Sequence, residues 1–145
     1  MTERFFGEKS ADCAPVGDEY EIVKSPSVLY DLLSQLWCAD TCAPRMRERW
    51  SEENKTLGQC SISAFLAQDI FGGEVYGVPL GDGNYHCFNV VGACCFDLTS
   101  AQFDHPLCYK IEDEYRQKRE VHFAKAEKKA RYEYLKSALT DILKQ

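Results

Sequence analysis

Three residues of this chain have side chains and spacings suited to nucleophilic chemistry: Cys60, His86 and Asp97. The competent form of a cysteine nucleophile is the thiolate, and a free thiol with a pKa of about 8.5 is mostly protonated at neutral pH. Cys60 follows Gly58-Gln59 and precedes an apolar run, so it stands in the first turn of an expected helix. Unpaired N–H groups and partial positive charge at a helix N-terminus favour both a thiolate and an oxyanion formed beside it. Gly58 lets the backbone turn tightly just ahead. His86 lies on one expected strand and Asp97 on the next. If Val91-Gly92 is a two-residue hairpin loop, Cys87 faces Phe96 and His86 faces Asp97, with Cβ atoms of an opposed pair about 4.5–5.5 Å apart on one face. A one-residue slip would separate them. In that register the carboxylate orients the imidazole and stabilises its cation, the third role in a nucleophile–base–orienter triad. Taken singly, each residue has a structural reading: a buried thiol, a hydrogen-bonded strand histidine, a cap before Leu98-Thr99-Ser100. The order Cys, His, Asp favours the functional one.

The elements that must hold these residues follow from periodicity. Ser25-Pro26-Ser27 starts a helix over about 27–38, with Val28, Leu29, Leu32, Leu33, Leu36 and Trp37 at helical spacing. Residues 38–57 are polar and irregular, with a short helix around 45–50. Ile62, Phe65, Leu66 and Ile70 share a face of a buried helix over about 60–71, which Gly72-Gly73 stops. Strands are predicted over 74–80, 85–91 and 93–98, with a turn at Gly81-Asp82-Gly83-Asn84. Residues 99–103 form a short turn or helix, and 107–122 carry no decisive pattern. Tyr134, Leu135, Ala138, Leu139 and Ile142 make an apolar stripe on a helix over about 124–143. The expected organisation is an arm over 1–26, a core over 27–106 and a charged helical extension over 107–145 docked on the same domain.

Composition bounds the rest. A chain of 145 residues is of single-domain length and can bury a real core. The net charge of −6 and the interleaving of acids with both basic clusters argue against nucleic acid. No apolar run is long enough to span a membrane, and the N-terminus does not read as a secretory signal. The cytoplasm is therefore expected, with the eight cysteines reduced. Cys38 and Cys42 have the spacing of one zinc-ligand pair, but structural zinc sites use two; no metal and no cofactor is expected. Cys95 shares a face with His86 and is a candidate resolving thiol, core packing being its alternative. His105 and His122 read as surface residues, and Gln68-Asp69 as architectural.

Several short motifs occur in order: Trp50-Ser51-Glu52-Glu53-Asn54, Gly58-Gln59-Cys60, Gln68-Asp69, Gly72-Gly73, His86, Asn89 and Asp97-Leu98-Thr99-Ser100-Ala101-Gln102-Phe103. In these the chain resembles the YunG-like family of uncharacterised, mainly bacterial proteins, over about residues 27–140. More remotely, Gly58-Gln59-Cys60 and Asp97–Gln102 are similar to transglutaminase signatures. That resemblance implies an α+β, papain-like (transglutaminase-core-like) domain: a nucleophile helix packed on a small antiparallel sheet, plus a C-terminal helix. It implies Cys60 as nucleophile, His86 as general base and acid, and Asp97 as orienter. Ser61 stands where transglutaminases carry a tryptophan, and Lys55 and Phe88 where the nearer family carries a proline and a tryptophan. Oxyanion candidates are the backbone N–H of Cys60 and the side chains of Asn54, Gln59 and Trp50; Asn54 has the spacing of the papain-like oxyanion glutamine. The reading is a cysteine-dependent acyl-transfer enzyme acting on an amide, ester or thioester of a small molecule or peptide. A catalytically inactive binding module on the same scaffold and a zinc-stabilised interaction protein stay open beside it.

Overall fold

The computed structural model describes residues 3–145 as an α+β fold. Its four helices are α1 (Pro26–Leu36), α2 (Cys60–Phe71), the short α3 (Arg119–His122) and α4 (Ala126–Leu143). Its strands β1 (Glu74–Pro79), β2 (Tyr85–Val91) and β3 (Cys94–Phe96) form one antiparallel sheet in the order β1-β2-β3.

Local chemistry accounts for the helix boundaries. Ser25 caps α1 by accepting from the Val28 N–H, and Pro26 supplies a preset φ where no N–H partner is needed. Trp37 leaves the helix earlier than the 27–38 expectation, yet its amide still bonds Leu33. Its indole N–H reaches Ser63 Oγ on α2 at 2.9 Å, which ties the two helices. Helix α2 is buried on nearly every side, from Ser61 through Ala67 and again at Ile70 and Phe71. An apolar helix of this kind belongs inside. It stops at two glycines with φ of +80° and +76°. A Cβ on Gly73 would meet the Val90 carbonyl oxygen at 2.2 Å, so only glycine permits the turn back into β1.

The sheet has two covered faces. Val75, Cys87 and Phe96 pack with α2 and the helices behind it. Tyr76, Val78 and Phe88 form a second cluster, covered by Leu107 and Tyr109. The β2–β3 register differs from the expected one. Val91 pairs with Cys94 and Asn89 with Phe96, so Gly92-Ala93 is the loop. This is a shift of two residues, which preserves the face of every side chain. Asp97 is left beyond the ladder, and its backbone bridges Phe6 instead. Residues 107–118 run past the sheet, where the Gln117 amide donates to the Val75 carbonyl at 2.8 Å and Arg116 bridges Tyr76.

Helix α4 docks through Leu135 and Leu139, both fully buried, while Tyr134 is 57% exposed. The expected stripe is thus narrower, and Tyr134 lies outside it. Asp69 on α2 pairs with Arg119 at 2.8 Å, accepts from the Tyr132 hydroxyl and lies near Lys136, locking α2, α3 and α4 together. Gln68 donates to the Gly73 carbonyl, so the Gln68-Asp69 pair does architectural duty. No described helix is long and apolar enough to cross a membrane.

Truncating Leu135 to alanine removes a fully buried side chain from the α2–α4 contact. It is expected to lower unfolding free energy by about 2–5 kcal/mol in urea titrations, whereas Tyr134→Ala should stay within about 0.5 kcal/mol.

Candidate active site

The turn before α2 is built for close approach. Gly58 has φ +73°, and a Cβ there would meet Cys42 Sγ at 2.5 Å and the Ala43 amide at 2.9 Å. Cys60 follows as the first residue of α2 and is half-buried. Gln59, the residue ahead of the helix, makes no side-chain cap, so the first-turn N–H groups of α2 stay available at the Cys60 end.

His86 and Asp97 are each 1% exposed, and His86 Nε2 bonds Asp97 Oδ2 at 2.6 Å. That leaves Nδ1 as the ring nitrogen available to Cys60, whose sulfur favours the charged imidazole. The Tyr109 hydroxyl donates to the same Oδ2 at 2.7 Å. The other carboxylate oxygen accepts from the Thr99 amide at 3.1 Å and the Thr99 hydroxyl at 3.4 Å. The carboxylate is therefore held by four donors. Its backbone N–H bonds Phe6 at 3.0 Å, and the Phe6 amide donates to Ser100 Oγ at 2.8 Å. The Phe6 ring stacks on Tyr109 at 4.0 Å between centroids. Gln102 then joins this loop to the chain ahead of Cys60, donating to the Thr56 and Thr99 carbonyls at 3.2 and 3.1 Å. The Phe103 ring meets His86 edge-on at 4.7 Å.

These contacts set the electrostatics. Burial works against a charged His86, but the Asp97 charge, its hydrogen bond and the Cys60 sulfur outweigh it and push the imidazole up to about 10. At Cys60 the leading influence is a hydrogen bond from the Cys87 thiol. Against the cost of burial, that bond and the His86 ring hold Cys60 well below the usual thiol range. Cys87 rises correspondingly, being the donor to Cys60 and buried. The thiol next to Cys60 is thus Cys87, on the α2-facing side of the sheet. Cys95 lies with Tyr109 and Phe88 in the second cluster, and burial followed by the Asp97 charge lifts it to about 11.

A sequence profile of the YunG protein family matches residues 25–144. The chain belongs to the YunG family. Among curated proteins it is similar to "Uncharacterized protein YunG" of Bacillus subtilis (strain 168), at 32% identity over 79 residues. The matched stretch covers 54% of this chain and 64% of that relative, less than two thirds of its length. No solved structure matches. The family match takes in Cys60, His86, Asp97 and Tyr109 but not the arm that carries Phe6.

Two of the three side chains expected as oxyanion donors, Trp50 and Gln59, are engaged elsewhere. The Trp50 indole N–H donates to the Lys55 carbonyl at 3.0 Å, and the Gln59 amide donates to the Cys38 carbonyl at 3.1 Å. Asn54 closes a turn with Ser51 through its backbone. None of the three lines the cleft of about 650 Å³ onto which Cys60 and His86 open. The backbone N–H groups of Cys60 and Ser61 are the donors that this geometry leaves.

Sequence reasoning missed Tyr109, which lay in a stretch without a pattern, and it misjudged His122. That residue lines the cleft, with its ring against Phe65 at 5.1 Å. Nε2 bonds Gln117 Oε1 at 2.8 Å and Nδ1 accepts from Lys128 at 2.9 Å. Burial and the Lys128 charge push its pKa down to about 4. A histidine at the end of a four-residue helix, amid charged neighbours, offered no sequence signal of this. Among the described residues no three His, Cys, Asp or Glu side chains are grouped to hold a metal, and all eight cysteines are free thiols.

Nitrogen–proton NMR of the imidazoles should find His86 still doubly protonated at pH 8, titrating near 10, and His122 neutral until the pH falls toward 4. In Asp97→Asn the carboxylate that favours the cation is gone and only the Cys60 sulfur still opposes burial, so the His86 pKa should fall well below 10.

Proposed function

We propose that this chain is a cysteine-dependent acyl-transfer enzyme on a papain-like, transglutaminase-core-like scaffold. Cys60 is the nucleophile, His86 the general base and acid, and Asp97 the group that orients His86. The observation that carries the reading is the buried 2.6 Å His86–Asp97 bond beside a half-buried cysteine at an uncapped helix N-terminus.

The chemistry follows from where charge resides. The Cys60 thiolate attacks the carbonyl carbon of an amide, ester or thioester, and the carbonyl oxygen takes up negative charge. The N–H groups of Cys60 and Ser61 stand at the helix end where that charge develops. The His86 imidazolium gives its Nδ1 proton to the leaving amine, alcohol or thiol as the carbon–heteroatom bond breaks. Water or an amine then attacks the acyl-enzyme, His86 takes the proton, and the thiolate leaves. Throughout, Asp97 stays ionised and keeps the ring aimed. Thr99, Tyr109 and Gln102 are positioning residues for that carboxylate and its loop.

The test is the pH profile of Cys60 alkylation by iodoacetamide, read by mass spectrometry. At pH 6 an ordinary thiol is less than about 1% ionised. Cys60 should instead react there many times faster than a free thiol, ahead of Cys95 and Cys13, which burial lifts to about 11 and 12. In His86→Ala the pH 6 rate should fall by about 10²-fold. A Cys60 no more reactive at pH 6 than a free thiol overturns the reading.

A further inference from the structure

The proposed acyl chemistry leaves the substrate class open, and the cleft in front of Cys60 bears on it. Arg45, Lys125, Lys128 and Arg131 line this cleft. Glu127 is the acidic residue among the described lining residues, and Arg131 occupies it with an Nε–Oε2 distance of 2.8 Å. A chain with a net charge of −6 thus presents a cationic wall at its candidate active site.

Lys128 is the notable member. It is half-buried, and burial pulls its ammonium below the ordinary lysine range; the groups that push back are the Cys87 and Cys60 sulfurs. No carboxylate of the described residues lies within ion-pair distance of it. Its Nζ donates to Nδ1 of His122 at 2.9 Å, while the opposite ring nitrogen is held by Gln117 at 2.8 Å. A neutral imidazole fixes the ammonium in place without neutralising it. Lys128 also stands in the first turn of α4, next to Lys125, whose side chain makes no cap bond. A cation there opposes the helix dipole. A partly desolvated lysine without an acid, at the unfavourable end of a helix, costs the fold stability that no ion pair returns. Such local conflicts concentrate where a ligand is bound.

We propose that the acyl group taken by Cys60 carries a carboxylate close to its reacting carbonyl, and that Lys128 is the specificity residue that pairs with that carboxylate. Arg45 and Lys125 strengthen the field at the cleft mouth. The inference rests on the acyl-transfer reading above, so its test separates the two.

The full chain is alkylated in parallel with iodoacetate and with iodoacetamide at low ionic strength, and labelling of Cys60 is followed by mass spectrometry. Both reagents consume the same thiolate, so the ratio of their rates cancels any change in Cys60 ionisation. In the wild type the iodoacetate-to-iodoacetamide ratio should exceed that of free cysteine by about tenfold, the effect of one nearby charge in a partly screened site. Lys128→Met should remove most of that excess, and Lys128→Arg should keep it. About 0.5 M salt should shrink it. Lys128→Gln substitutes if the methionine variant does not fold. A ratio equal to that of free cysteine, or one unmoved by Lys128→Met, overturns the carboxylate preference. If iodoacetamide still labels Cys60 rapidly at pH 6, the acyl-transfer reading survives that result. Slow labelling by both reagents sinks the acyl-transfer reading and this inference with it.

Discussion

The arrangement depends on keeping one ionised carboxylate, Asp97, out of water and against His86. Both side chains are 1% exposed. Removing a carboxylate and an imidazolium from water costs several kcal/mol per ion, and the attraction between them repays this only if the remaining lone pairs are also satisfied. Here they are: Thr99 serves one oxygen twice, and Tyr109 shares the other with His86. A half-satisfied pair would be worse than an apolar core. That requirement explains why such distant parts of the chain converge on one loop. Phe6 bridges it, Tyr109 covers it and Gln102 fastens it to the approach to α2.

Helix α2 is the second constraint. It is buried almost all round, so its N-terminal end cannot drift, and neither can the sulfur on its first residue. Asn89 on β2 donates to the Ala64 carbonyl at 2.8 Å and sets helix against strand. One helical turn back from Ala64 is Cys60, and two strand residues back from Asn89 is Cys87. The rises are about 6 Å and about 6.7 Å respectively, so the two thiols come level. His86, next to Cys87 on the same strand, opens with Cys60 onto the same cleft. The Asn89–Ala64 bond is thus the register pin of the candidate site.

The arm and the C-terminal section complete what the core begins. Residues 107–118 cover the sheet face that holds Tyr76 and Phe88, and bring in Tyr109 and Gln117. Helices α3 and α4 supply His122 and Lys128 and turn an exposed helix end into a walled cleft. Their charge is unlike that of the chain as a whole. The same section that stabilises α2 through Asp69, Arg119 and Tyr132 therefore also lines the cleft onto which Cys60 opens.

Much of this was legible from local pattern. Periodicity and stop signals located α2 at its observed bounds, and a cap and a proline located the start of α1. The thiol at the helix start followed from the helical spacing behind Gly58-Gln59, and the shared face of His86 and Asp97 from alternation, because the hairpin register was off by two residues and not by one. Local pattern was silent where the determining contact is distant in the chain. Nothing near Tyr109 points to a carboxylate twelve residues earlier, and nothing near His122 points to the ring of Phe65. The Gln59 amide and the Trp50 indole N–H were candidates from sequence, but the backbone carbonyls of Cys38 and Lys55 claim them. Spacing along the chain determines which groups share a face, since strand and helix periods are fixed by backbone sterics. Tertiary packing alone decides which of those groups meet, because donors and charges withdrawn from water must find partners wherever the fold has placed them.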